Sequence, residues 1–245
     1  MFNYIFNALL FEALNIKSHY LSLKAIFIKK FRFRIVTSLM FDGLEFISLV
    51  FQQKNMIFKD FIDNEIELPS SYHAYGNVRL SEYLAGRIAL KTLCDHPQKW
   101  DFFSNQLGAP VFPPSLQGSL SHSKNIVFAA LSRDKDTGGI GADVQHWISE
   151  EEFELIKFNV VNDKENNLIK NHLDFTIIFS AKESLIKAIS NHFSVVLDFN
   201  DFQIVNLISN KVYINTDRLE LSSKLFVVNY YCFSKGVVSF IQLKG

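Results

Sequence analysis

The residues best suited to chemistry lie close together in Phe179-Ser180-Ala181-Lys182-Glu183-Ser184-Leu185-Ile186-Lys187-Ala188. On a helix, Glu183 and Lys187 stand four positions apart and share one face, with Lys182 beside them. The β-branched and aromatic run from Phe175 to Phe179 predicts a strand leading in. Ser180 and Glu183 then fit the Ser-x-x-Glu box that starts helices. A carboxylate and two lysines at a first helical turn would suit a metal-bound polyphosphate, because the helix dipole also favours negative charge there. A capping glutamate followed by a solvent-facing ion pair accounts for the same letters.

Two upstream segments give this stretch company: Gly118-Ser119-Leu120-Ser121-His122-Ser123 and Gly139-Ile140-Gly141-Ala142-Asp143-Val144-Gln145. The ordered triple GSLSHS, GIGADVQ, FSAKESLIKA resembles the 4′-phosphopantetheinyl transferases of the surfactin and enterobactin-synthetase-D type. In that group the three segments read roughly Gly-Ser-Ile-Ser-His, Gly-Ile-Asp-Ile-Glu and Phe-Ser-x-Lys-Glu-Ser-x-x-Lys-Ala. Arg79 and Ala85-Gly86-Arg87-Ile88-Ala89 also look like the family's basic residue followed by Ala-Gly-Arg-x-Ala.

The resemblance implies an α+β fold of two similar halves, each a small antiparallel sheet on a long helix, with coenzyme A in the cleft between them. It implies Mg²⁺-dependent transfer of the phosphopantetheine arm from coenzyme A to a serine of apo carrier-protein domains of a nonribosomal peptide synthetase. Siderophore assembly is the closest setting. Residue by residue, it makes Asp143, Gln145 and Glu183 metal ligands, with Glu183 also the general base and Lys187 its partner in catalysis. Arg79, Arg87, Ser121, His122, Lys182 and Lys187 become contacts to coenzyme A. Gln145 departs from the family's glutamate. Its amide oxygen can ligate Mg²⁺ without bringing charge, and Mg²⁺ is often held by one or two carboxylates with waters. The alternative is a catalytically weak coenzyme A-binding or scaffold component of a synthetase complex.

The residues also bear independent readings. Asp143 could be an ordinary turn carboxylate, and Arg79 and Arg87 could be surface arginines. No Gly-x-Ser-x-Gly elbow accompanies Ser121-His122, so a hydrolase is not indicated.

Positioning these groups falls to two main helices. Val78 to Cys94 has apolar residues at helical spacing, ending at Asp95-His96-Pro97, and Ser180 to Asn191 follows the second motif. Gly86 within a helix costs about 1 kcal/mol against Ala, which close packing or a nearby ligand would explain. Phe41 to Phe51 reads as a strand with a turn at Asp42-Gly43, and residues 118 to 145 as a hairpin with Asp143 near a strand end. Glu150 to Ile169 is helix-like. Phe202–Leu207, Val212–Ile214, Leu225–Cys232 and Val237–Leu243 alternate as antiparallel strands. The expected organisation is an extension over 1–39, a first half over 40–145 and a second over 146–245.

At 245 residues the chain can bury a substantial core. Lys plus Arg equals Asp plus Glu, 25 each, so bulk charge points to no nucleic acid. Cys94 and Cys232 lack metal-type spacing and are expected as buried thiols in a reducing compartment, and the histidines form no zinc pattern. A cytoplasmic, monomeric protein is expected. Lys24 to Arg34 interleaves basic and aromatic residues, so it is a candidate for peripheral membrane or synthetase-complex association.

Overall fold

The computed structural model describes residues 34–41, 43–52, 58–94, 100–106, 108–193, 195–216, 218 and 225–245. They form an α+β protein of two units, one ending at Lys135 and the other running from Asp136 to Gly245. Residues 1–33, with most of the basic-aromatic segment, and Asp95-His96-Pro97 lie outside the described residues.

The first unit is a four-stranded antiparallel sheet carrying one long helix. Its strands are β1 (Arg34–Phe41), β2 (Leu44–Val50), β3 (Gln117–Ser123) and β4 (Ile126–Ser132), ordered β1-β2-β4-β3. Gly43, at φ +78°, turns β1 into β2, a left-handed conformation that glycine adopts without steric cost. After the short α1 (Phe58–Asp63), helix α2 (Asn77–Leu93) buries Leu84, Ala85, Ile88, Ala89 and Leu90. They share a cluster with Ile47 and Leu49 of β2 and with Val127, Ala129 and Leu131 of β4. Fully burying each larger aliphatic side chain contributes roughly 1.5–3 kcal/mol.

In the second unit the sheet has five strands: β5 (Thr137–His146), β6 (Phe202–Ile208), β7 (Lys211–Thr216), β8 (Phe226–Phe233) and β9 (Gly236–Lys244), ordered β5-β9-β8-β7-β6. Helix α3 (Glu150–Val160) starts at a full capping box, Ser149 with Glu152. Helix α4 (His172–Phe193) sinks Ile178, Ala181, Leu185, Ala188 and Ile189 among Val212, Ile214, Val228, Val237 and Ile241.

Several expectations are corrected here. Residues 175–179 are helical, so Ser180 lies inside α4 rather than at its start. Burial of Phe175, Ile177 and Ile178 in the core overrides their local preference for a strand. The basic groups of FSAKES therefore sit two turns or more from the helix N-terminus, beyond reach of its dipole. Strand β4 pairs with β2 and β3, while β5 pairs with β9 along its length, so 118–145 is not one hairpin. The expected division at 145/146 moves to 135/136 for the same reason. Residues 34–39, placed in an extension by sequence, belong to β1. Cys94 is buried, whereas Cys232 is exposed.

Candidate active site

Strand β5 is the edge of its sheet, and α4 lies directly on it. Gly139, Gly141 and Asp143 alternate along the strand and so share a face. A Cβ on Gly141 would overlap the Ser184 carbonyl, and one on Gly139 would run into that of Ala188. Both obstacles are helix backbone, which cannot swing aside. The glycines therefore set how closely strand and helix approach, and Asp143 is the first side chain beyond them. It is a buried residue within the strand, not a turn carboxylate.

The helix answers with three groups. Lys187 Nζ donates to Asp143 Oδ1 at 2.7 Å and lies 3.8 Å from Glu183 Oε2, so one ammonium sits between two carboxylates. Ser180 Oγ donates to Asp143 Oδ2 at 2.8 Å. Ser180 is backed by Ser239 on β9, which Ser184 also reaches at 2.6 Å. This serine cluster fixes the Asp143 rotamer from below. Burial pushes the Glu183 carboxyl above the ordinary carboxylate range; Lys187 pulls it down, and Asp143 pushes it up again. Gln145 is half-buried and follows on the Asp143 face of β5.

Asp143 and Glu183 thus flank the Lys187 ammonium, where a shared metal ion was expected, and both come from the second unit rather than from separate halves. Lys182 is corrected outright as a phosphate contact. It is fully buried, bound to Glu165 at 2.9 Å and donating to the Val160 carbonyl at 2.7 Å. Glu165 in turn accepts from the backbone N–H groups of Asn162 and Ile204. Three turns of chain are tied together by this pair, which points away from Glu183 because neighbouring helical residues diverge.

In the first unit Arg79 and Glu82 of α2 face His122 of β3. Arg79 Nη1 lies 3.2 Å from His122 Nε2, and Glu82 Oε1 lies 3.5 Å from His122 Nδ1. Leu120 and His122 share the helix-facing side of β3, where Leu120 packs on Gly86. Ser121 alternates to the opposite side and is buried, so it does not join His122. Arg87 is buried too. Its Nη2 donates to Ser104 Oγ at 2.8 Å, and its guanidinium stacks 4.1 Å from the Tyr83 ring centroid. That interior position corrects its reading as a phosphate contact. Glu82 and the serines at 184 and 239 were not singled out from sequence, and Ser180 was read only as a helix cap. Glu82 follows Arg79 by one turn and the two helical serines lie four apart, the only local hints available.

Residues 139–238 match the model of the 4′-phosphopantetheinyl transferase superfamily, and residues 73–132 match that of the 4′-phosphopantetheinyl transferase N-terminal domain. The chain belongs to this family. Among characterised relatives, it is similar to enterobactin synthase component D of Escherichia coli (strain K12), 28% identical over 173 residues, covering 68% of this chain and 79% of the relative. The protein of the same description from Salmonella austin is 31% identical over 127 residues, covering 49% and 52%.

Proposed function

We propose that this enzyme transfers 4′-phosphopantetheine from coenzyme A to a serine of apo carrier-protein domains in siderophore assembly, with Asp143, Glu183 and Lys187 as its reacting centre. The single observation that carries the assignment to residues is the Lys187 ammonium held between the two carboxylates.

In the reaction the carrier serine oxygen forms a bond to the phosphorus next to pantetheine. The bond from that phosphorus to the bridging oxygen breaks, and the adenine nucleotide diphosphate leaves. Glu183 takes the serine proton. Burial raises its pKa, the direction that strengthens a base. Lys187 holds Asp143 in place and stabilises the charge that develops on the leaving diphosphate. Arg79 and His122 of the first unit are exposed enough to contact phosphate oxygens.

The donor set fits Mg²⁺. It is all oxygen, two carboxylates already share one cation, and Mg²⁺ is usually held by one or two carboxylates together with substrate phosphates. Among the described residues no three or more His, Cys, Asp or Glu side chains gather as a metal-holding group, so any ion here would rest on two carboxylates. Asp143 and Glu183 would hold the ion, with the Gln145 amide oxygen as a third, neutral ligand. Bound there, it would offset charge on the pyrophosphate. Gln145 is also the residue that favours the second reading, a coenzyme A-binding component with weak turnover.

Mass spectrometry of an apo aryl or peptidyl carrier domain, incubated with coenzyme A and Mg²⁺, tests the assignment. The expected result is addition of the phosphopantetheine mass. An unmodified carrier alongside a working control overturns it, and coenzyme A binding indifferent to Mg²⁺ without transfer selects the second reading. Membrane or complex association would rest on residues outside those described, while no helix among the described residues is long and apolar enough to cross a membrane.

A further inference from the structure

We infer that Glu82 is a positioning residue that fixes the tautomer of His122 and lets its ring become an imidazolium when a phosphate arrives. The inference rests on the reading of Arg79 and His122 as coenzyme A phosphate contacts.

Three distances define the arrangement. Glu82 Oε1 lies 3.5 Å from His122 Nδ1, Arg79 Nη1 lies 3.2 Å from His122 Nε2, and Glu82 Oε2 lies 3.4 Å from Arg79 Nη1. An ionised carboxylate only accepts hydrogen bonds, and a guanidinium only donates them. With these neighbours the ligand-free ring satisfies both only as the neutral form protonated on Nδ1, with its Nε2 lone pair facing Arg79. The histidine side chain in water prefers the opposite tautomer, protonated on Nε2. The pocket therefore selects the minor form.

Exposure separates the roles. The Glu82 side chain is 14% exposed, against 49% for Arg79 and 33% for His122. The carboxylate is thus set behind, with the guanidinium and the imidazole in front. A phosphate oxygen arriving there competes for the Arg79 donors and offers Nε2 an acceptor in their place. To donate to the phosphate, Nε2 must take a proton from solvent, which gives an imidazolium. Glu82, still on Nδ1–H, stabilises that charge, as carboxylate partners do for catalytic and ligating histidines. Charged groups at the ring include Arg79 and Glu82, both from α2; on the paired strand β4, Val127 stands opposite His122.

Nitrogen-15 NMR of the histidine side chains in the full-length protein tests this, with the His122 signal assigned by its loss in His122→Gln. Wild type without ligand should show His122 protonated on Nδ1 alone, and with coenzyme A on both nitrogens at neutral pH. In Glu82→Ala the free ring should revert to the Nε2-protonated form, stay neutral with coenzyme A, and raise the coenzyme A KM by roughly tenfold, more than it lowers kcat. Glu82→Gln, which keeps the side-chain shape, should show the same loss of charging. An Nε2-protonated ring in wild type, or a tautomer that Glu82→Ala leaves unchanged, overturns the inference. The ligand-free spectra decide the tautomer by themselves, so a failure of wild type to transfer phosphopantetheine counts against the proposed function and not against Glu82.

Discussion

Each unit lays a long helix on an antiparallel sheet and places charge where the helix meets an edge strand. On β3 and α2, one carboxylate, Glu82, supports two groups that can carry positive charge, Arg79 and His122. On β5 and α4 the ratio is inverted, with two carboxylates sharing one lysine. The first arrangement suits an anion and the second a cation with its bound anions. The same architecture therefore yields opposite binding chemistry from a few charged side chains at one seam.

The seams also differ in tolerance. Gly86 of α2 faces the tip of the Leu120 side chain, 2.7 Å from where a Cβ would stand, whereas Gly141 of β5 faces the Ser184 backbone carbonyl. Each unit further buries one cation. Lys182 is matched by Glu165, while Arg87 rests on a tyrosine ring and a serine, and its Nε has no hydrogen-bond partner among the described residues.

Breaking the cation-binding seam should give the largest effect. Asp143→Asn removes a carboxylate and the anchor of Lys187, and should lower kcat/KM by about 10²–10³, measured by carrier modification rates. Removing one member of a paired buried ion costs more than removing an unpaired one. Lys182→Met should destabilise by about 3–5 kcal/mol because Glu165 is left buried and uncompensated. Arg87→Met should cost less in the same denaturant titrations, and adding Glu165→Gln to Lys182→Met should recover part of the loss, because the amide carries no charge and still offers an acceptor oxygen to the backbone N–H groups of Asn162 and Ile204.

The glycines sharpen the contrast in packing. Gly141→Ala should cost about 3 kcal/mol or more, since strand and helix backbones must separate. Gly86→Ala should stay within about 1 kcal/mol of wild type, the helix preference of alanine offsetting a leucine shift. The smallest effect is expected at Gln145. Gln145→Glu should be at least as active as wild type and need less Mg²⁺ for half-maximal rate; lost activity would rule out its place beside the metal.

How legible these features were depended on sequence distance. Glu183 and Lys187 were readable together because four residues on a helix is a local relation, and the strands from Phe202 onward showed their alternation. Phe175 to Phe179 misled because aromatic and β-branched residues prefer strands until a core covers them. Ser180 and Glu183 imitated a helix start by spelling a capping box within a helix. Lys182 and Arg87 were read as phosphate contacts because their partners, Glu165 and Ser104, lie outside the helices that carry them. The pairing of β5 with β9 spans most of the second unit and leaves no periodic trace, so the boundary between units was misplaced.

The central claim is that Glu183 removes the carrier serine's proton beside a shared cation. The direct measurement is the rate of carrier modification by wild type and Glu183→Gln across pH, at saturating coenzyme A and Mg²⁺. Burial raises the Glu183 pKa and Mg²⁺ held there would lower it, so the base form is lost as pH falls through the carboxyl titration. The wild-type rate should therefore rise with pH through that titration, and Glu183→Gln should be slower by about 10²–10⁴ and lack that rise. A Glu183→Gln enzyme that modifies the carrier at the wild-type rate would contradict the account.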